Sequence, residues 1–425
     1  MFASTLVMAS AGAYAQTSTS ASPYSQFGIG QMREDLLPQN RAMGGLSTAL
    51  RTLNGVYTTN PGNPASYSAA RYSTFDIGLY GNGTQLQKGQ RSDHTADFAF
   101  SHITMTFPMK KLGGVSFGLL PFSDVGYNST TTNKLDSISY KKVFSGEGGL
   151  SKAYLGWGVN VLKNLSIGAN VSYIFGTLYD YSRIEFPYNY SALNSQQQDK
   201  REITGMGLDY GLQYTKVLGK EYVLTLGYTG SLNNSLHDKT SSYMTRIEPS
   251  LDESNQNIAL DTVNTIENNR RDLTLPLKHS AGFHFGRLNH WQVGAEYKFA
   301  DWSNFQVRTG ENKLRKNQGI AVGGQFIPDV TSLSYWKNVE YRVGYRYNQT
   351  QYYVNQQSLK DMAVTFGFGL PLSRNQFSGA FSKFNISAEL GQMGSINNNL
   401  IRERYVNINL GFTLNDRWFR RNQLD

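Results

Sequence analysis

The sequence predicts an all-β fold: a transmembrane antiparallel β-barrel of about 14 strands. Composition, alternation along the chain and the spacing of turns lead to it. The 425 residues include 42 Gly, 27 Tyr and 23 Phe beside only 11 Pro, a balance that favours strands over helices. Cysteine is absent, which removes disulfides, thiol nucleophiles, zinc knuckles and a lipoprotein Cys from consideration.

The clearest hairpin is "LSKAYLGWGVNVLKNLSIGANVSYIFGTLYDYSRIEF". Ala153, Leu155, Trp157, Val159 and Val161 share one face of its first arm. Ile167, Ala169, Val171, Tyr173 and Phe175 do so on the second, opposite Ser166, Gly168, Asn170 and Ser172. A tight connection at Lys163-Asn164 joins the arms. The alternation recurs in "HWQVGAEYKFADW" and "YVNINLGFTLND", where Leu410 and Asn409 fall on opposite faces. An apolar face beside a small or polar one suits lipid outside and a wet lumen inside, the reverse of a β-sandwich.

Roughly fourteen such runs begin near Tyr72, Asp93, Gly113, Gly148, Leu165, Arg201, Glu221, Lys278, Trp291, Asn317, Asn338, Lys360, Phe381 and Leu400. The connections alternate in length. Those at 109–112, 163–164, 219–220 and 288–290 are short, whereas 127–147, 186–200 and 246–277 are long and polar and read as loops. Short turns on the periplasmic side and long loops outside follow, with both ends of the barrel facing the periplasm.

The opening "MFASTLVMASAGAYAQTSTS" places a small-residue Ala13-Tyr14-Ala15 site after an apolar run, so residues 1–15 read as an export signal. No apolar run reaches the length of a membrane helix, and mean hydropathy is negative, as alternating strands require. The net charge of +9 is dispersed along the chain without a nucleic-acid signature and reads first as a solvated surface; outer-membrane lipid and lipopolysaccharide or a carboxylate ligand would also suit it.

Ahead of the first strand, "NRAMGGLSTAL" is followed by "NPGNPAS", whose two Asn-Pro pairs bar regular helix or central strand. With "LPLKHSAGFHFGRLNHWQVGAEYKFADWSNF" and the strand count, these segments give a chain that resembles the FadL-type long-chain fatty acid transporters of the Gram-negative outer membrane. That resemblance implies an N-terminal hatch over residues 16–70, with Asn63, Pro64 and Ala65 in its Asn-Pro-Ala segment, and a barrel with a short basic tail over 71–425. Leu275, Pro276, Trp291, Trp302, Ser303 and Phe305 match the family's middle segment. It implies passive uptake of hydrophobic small molecules such as long-chain fatty acids, without a cofactor or enzymatic activity. The doubled Asn-Pro and the tail "DRWFRRNQLD" depart from the family pattern.

The residues themselves favour no chemistry. The six His form no helix-spaced zinc pair, and His279 and His284 fall on opposite strand faces. Ser, His and Asp are present without a nucleophile-elbow context, so a hydrolase would need a constellation that spacing does not reveal. Glycine runs such as "FGFGLP" read as strand glycines, and "YRVGYRYNQTQYYV" as an interfacial aromatic girdle. The second expectation is a structural or accessory barrel subunit of a larger outer-membrane assembly. Its envelope protein partners would dock on the long connection 246–277 or the basic tail.

Overall fold

Closure of the sheet on itself organises the chain. The computed structural model describes residues 22–53, 56–135, 138–187, 192–232, 234–247, 259–305, 314–374 and 381–416. The barrel strands are β1 (Ser73–Lys88), β2 (Arg91–Pro108), β3 (Gly114–Leu135), β4 (Ile138–Asn160), β5 (Leu165–Glu185) and β6 (Asn194–Leu218). Two broken strands follow, β7 (Tyr222–Ser231 and Ser235–Ile247) and β8 (Ala259–Thr274 and Lys278–Arg287). The ring is completed by β9 (Trp291–Asp301), β10 (Lys316–Phe326), β11 (Glu340–Val354), β12 (Gln357–Arg374), β13 (Phe381–Met393) and β14 (Arg402–Asp416). Neighbours pair antiparallel around the ring, and β14 pairs with β1 from Asp416↔Ser73 to Arg402↔Gln87. No edge is left at that seam, as hydrocarbon demands.

The alternation read from sequence sets the facing. Leu155, Trp157, Ile167, Val171, Tyr173 and Phe175 stand exposed on the outer surface, while Ser166, Asn170 and Ser172 are buried toward the lumen. On β14 the outer row holds Val406 and Ile408, and Asn409 is buried inside. Above Phe175 the outer row of β5 continues as Thr177, Tyr179, Tyr181 and Arg183. There its neighbours are charged: Lys200 donates to Glu202 at 2.6 Å, Lys239 stands 3.4 Å from Glu202, and His237 lies 2.7 Å from Asp272. The Lys200 hydrogen bond holds the Glu202 carboxyl below its ordinary range. This change from apolar to ionic marks the outer edge of the membrane.

Beyond that edge the expected long loops are corrected. Residues 127–135 and 138–147 belong to the β3–β4 hairpin, and the connection 246–277 contains a strand over 259–274. β6 likewise starts at Asn194, not near Arg201. Both faces of these extensions meet water, so they lack the alternation that revealed the membrane part. Tight tips also occur outside, at Gly89-Gln90 and Asn355-Gln356, and the β4–β5 connection takes four residues, 161–164. Short turns are therefore not confined to one side.

Two interruptions break the ladder. β2 and β3 pair only from Ile103↔Leu119 to Pro108↔Gly114; above this, β2 pairs with β1 alone and β3 with β4. The outer half of β8 pairs only with β7 among the described residues, because "LPL" at 275–277 bends it away from the line of its inner half. A single cation separates the two surroundings of the outer row. We expect Val171→Arg to impair assembly by about 2–4 kcal/mol, and Tyr179→Arg, four places further out on the same row, to assemble normally. Heat-modifiable migration of the two variants measures this.

Candidate functional site

The N-terminal residues 22–70 fill the lumen with little regular structure: three short helical turns and two-residue strands. Asn60-Pro61 and Asn63-Pro64 explain part of this. Asn63 caps a 3-10 turn over Pro64–Ala69 by accepting from the Ala65 amide at 3.0 Å, and Pro64 occupies the first position, where no amide is needed. Asn60 donates to the carbonyls of Ser47 and Leu50 at 2.7 and 2.8 Å, and Asn170 of β5 donates to Pro61 O at 3.0 Å. Asn63, Pro64 and Ala65 are thus brought together, fully buried, against β4, β5 and β6.

The wall makes room for them by omitting side chains. A Cβ on Gly168 would lie 2.4 Å from the Pro64 carbonyl carbon, and one on Gly211 would lie 2.0 Å from Asn63 Oδ1. Gly158, Gly227 and Gly323 seat Pro64, Thr48 and Met43 in the same manner.

Further out, three consecutive residues anchor the segment to four strands. Arg33 pairs with Asp124 of β3 at 2.5 Å and donates to Tyr80 OH at 2.7 Å; Glu34 meets Lys298 of β9 at 2.7 Å; Asp35 pairs with Lys152 of β4. Glu296 of β9 accepts from the Ser47 and Thr48 amides, both at 2.8 Å, and Arg41 faces Glu389 of β13 at 3.5 Å. Sequence reading missed this clamp. Its signal was present: residues 1–32 carry no charge, and the first three charges of the chain are adjacent.

At the β2–β3 interruption the segment supplies a strand of its own. Gln31 and Met32 pair with Asp124 and Ser123, the Arg33 amide donates to Phe122 O at 2.9 Å, and Gly126 N donates to Ser25 Oγ at 3.0 Å. The β3 edge that β2 abandons is therefore taken up from inside. Phe98 and Phe100 of β2 flank the gap on the outer surface.

Between the segment and the wall lies a cavity of about 360 Å³, bordered by Phe122, Ile174, Leu275, Trp302, Tyr352 and Met393 on its apolar side. Trp302 and Phe305 stack edge to face at 5.3 Å, and with Leu275 they belong to an apolar cluster that Tyr24 and Ile29 complete from within. Lys278 also borders the cavity. Its Nζ stands 5.6 Å from the Phe122 ring, and no described acid lies within ion-pair distance of it.

A constellation hidden from spacing does form: Asp76 Oδ1 lies 2.7 Å from His102 Nε2, and His102 Nδ1 lies 3.1 Å from Ser101 Oγ. All three are buried and none borders the cavity; Asp76 also accepts from Thr413 of β14 at 2.5 Å. The group ties β14, β1 and β2 together at the seam. His279 and His284 lie on opposite faces, the first beside Tyr228 OH at 2.7 Å.

The profile of the BamG family matches residues 1–425. The chain belongs to the BamG family. A comparison with curated protein sequences gives no match. Solved structures share the fold of this BamG-family chain at low identity. The Pseudomonas putida toluene transporter TodX aligns with a TM-score of 0.58 and 16% identity over 90% of this chain and 98% of its own. The Ralstonia pickettii toluene transporter TbuX gives 0.56 and 14% over 90% and 99%, and a Pseudomonas aeruginosa FadL homologue 0.56 and 12% over 91% and 98%. The FadL-type resemblance thus holds as fold: the chain is a closed antiparallel β-barrel of fourteen strands. The Asn63 seat is testable on its own: Asn63→Ala leaves the Ala65 amide unpaired and removes one of the two donors to the Thr48 carbonyl, Gln213 remaining as the other, at a cost of about 1–3 kcal/mol. Hydrogen exchange should quicken over residues 59–70 and stay unchanged in the barrel strands.

Proposed function

We propose that this BamG-family barrel takes up hydrophobic small molecules passively, with residues 16–70 as its hatch and 71–425 as its barrel. The observation that carries the reading is the β2–β3 gap, which opens beside Phe98 and Phe100 on the lipid face and is closed from inside by Gln31 and Met32. Peeling Gln31, Met32, Arg33 and Ser25 off β3 would join the lumen to the bilayer without breaking any barrel pairing. The fold shared with TodX, TbuX and the FadL homologue supports it.

Lys278 sharpens the ligand to an anionic amphiphile such as a long-chain fatty acid. Its ammonium would receive the carboxylate, and Phe122, Ile174 and Trp302 would border the chain, in a cavity of ligand size. A chain without cysteine permits a clean test. The Met32→Cys, Ser123→Cys double variant should form a disulfide that stops uptake of a fluorescent fatty acid, and reductant should restore it. Unchanged uptake in the oxidised state overturns the gate. Lys278→Met should weaken fatty acid binding about tenfold, with little effect on an uncharged hydrocarbon.

A second reading, an accessory barrel subunit of a larger outer-membrane assembly, is favoured by the sheet that β3 to β8 raise above the membrane. The outer part of β8 is exposed and unpaired on one side among the described residues. Recovery of stable partner proteins after mild detergent extraction supports this reading, and a solitary barrel with bound lipid supports uptake.

A further inference from the structure

The periplasmic side of the ring, where β1 begins and β14 ends, carries short turns at 109–113, 161–164, 219–221 and 288–290, but β10 and β11 are joined by the thirteen residues 327–339. This turn is built, not slack. Asp329 N donates to Lys337 O at 3.0 Å and closes it; the Asp329 carboxylate accepts from Thr331 N and Oγ1 at 2.9 and 2.7 Å; Asn338 donates to Ser332 O at 2.7 Å. The result is a rigid knob whose apolar side chains point away from the protein. Leu333 is fully exposed, Trp336 is 68% exposed, and Tyr335 packs edge to face on Trp336 at 5.7 Å.

Water is a poor surrounding for such a group, and the neighbouring surface says what replaces it. Phe326 and Tyr341 face each other across β10 and β11 on the lipid side, and Tyr341 stacks on Phe368 of β12 at 5.8 Å. The Tyr341 hydroxyl then donates to Trp336 O at 3.0 Å, so the lipid face runs without a break into the knob. We propose that residues 333–336 are a membrane anchor whose Leu and aromatic rings enter the inner leaflet of the outer membrane, a phospholipid surface. Lys337 is exposed beside them, with a side chain long enough to reach lipid phosphates. Trp and Tyr favour this depth because their rings are apolar and their polar atoms stay wet. The anchor fixes the height of the barrel on its β10–β11 side whether or not the lumen transports.

The test uses the full chain in phospholipid bilayers whose acyl chains carry bromine near the headgroup. The five tryptophans are resolved by difference, wild type minus Trp336→Phe. Bromolipid should quench the Trp336 share at least twofold, and Leu333→Asp should relieve that quenching at least twofold without changing heat-modifiable migration. A Trp336 share untouched by bromolipid and quenched by aqueous acrylamide overturns the anchor.

Discussion

A strand that faces hydrocarbon can satisfy its backbone only through its neighbours, and this requirement organises the molecule. It explains the uninterrupted β14–β1 seam and the Asp76–His102–Ser101 group that braces it from inside. It also explains why the N-terminal segment is not a free-standing plug. Where β2 leaves β3, the abandoned donors and acceptors would stand open, and Gln31, Met32 and Arg33 take up part of that edge. Wall and segment are one hydrogen-bonded system.

The clamp sets how far that system can move. Arg33, Glu34 and Asp35 each hold a different strand; the Arg33–Asp124 and Asp35–Lys152 pairs are largely buried, whereas Glu34–Lys298 is half open to the cavity. Separating a buried pair costs about 3–5 kcal/mol, because the remaining charge has lost its hydration and gains nothing in return. Ejecting the whole segment would break several pairs at once and strip Pro64 and Thr48 from their glycine seats. Displacing Gln31 and Met32 from β3 breaks none of the ion pairs beyond Arg33. On the proposed uptake reading, opening is therefore a local peel at the gap.

Legibility from sequence followed the surroundings of each strand. Leu165, Trp291 and Phe381 begin strands as the alternation requires, because one face meets lipid and the other the lumen. The start of β4 is Ile138 rather than Gly148, and 259–274 is a strand rather than loop, because outside the membrane the two faces carry no contrast. Asn63 and Pro64 were legible as a kink, from local chemistry. Their seat against Gly168 and Gly211 was not, since it joins residues more than a hundred places apart. The Arg33-Glu34-Asp35 clamp depends on comparably distant ion-pair partners, 91 to 264 places away, whereas the Asp76–His102 contact at the seam spans 26 places across one hairpin and was hidden because the pairing register was not legible.

The same lumen bears on the class of ligand. Much of its apolar surface is already occupied: Tyr24 and Ile29 fill the cluster formed by Phe122, Ile174, Leu275 and Trp302. The cavity that remains is bordered by Lys278, Lys152, Asp209 and Glu34 as well as by Phe122 and Trp302. A wholly apolar guest there would cut these groups off from water and would leave Lys278 without an ion pair, whereas Lys152, Asp209 and Glu34 keep theirs. A guest with one anionic end would leave Asp35 and Glu34 in their pairs and give Lys278 the partner it lacks among the described residues. On the proposed uptake reading, the fold that this chain shares with TodX and TbuX is thus compatible with a different cargo, because the few charged groups at the cavity wall, and not the barrel, would set selectivity.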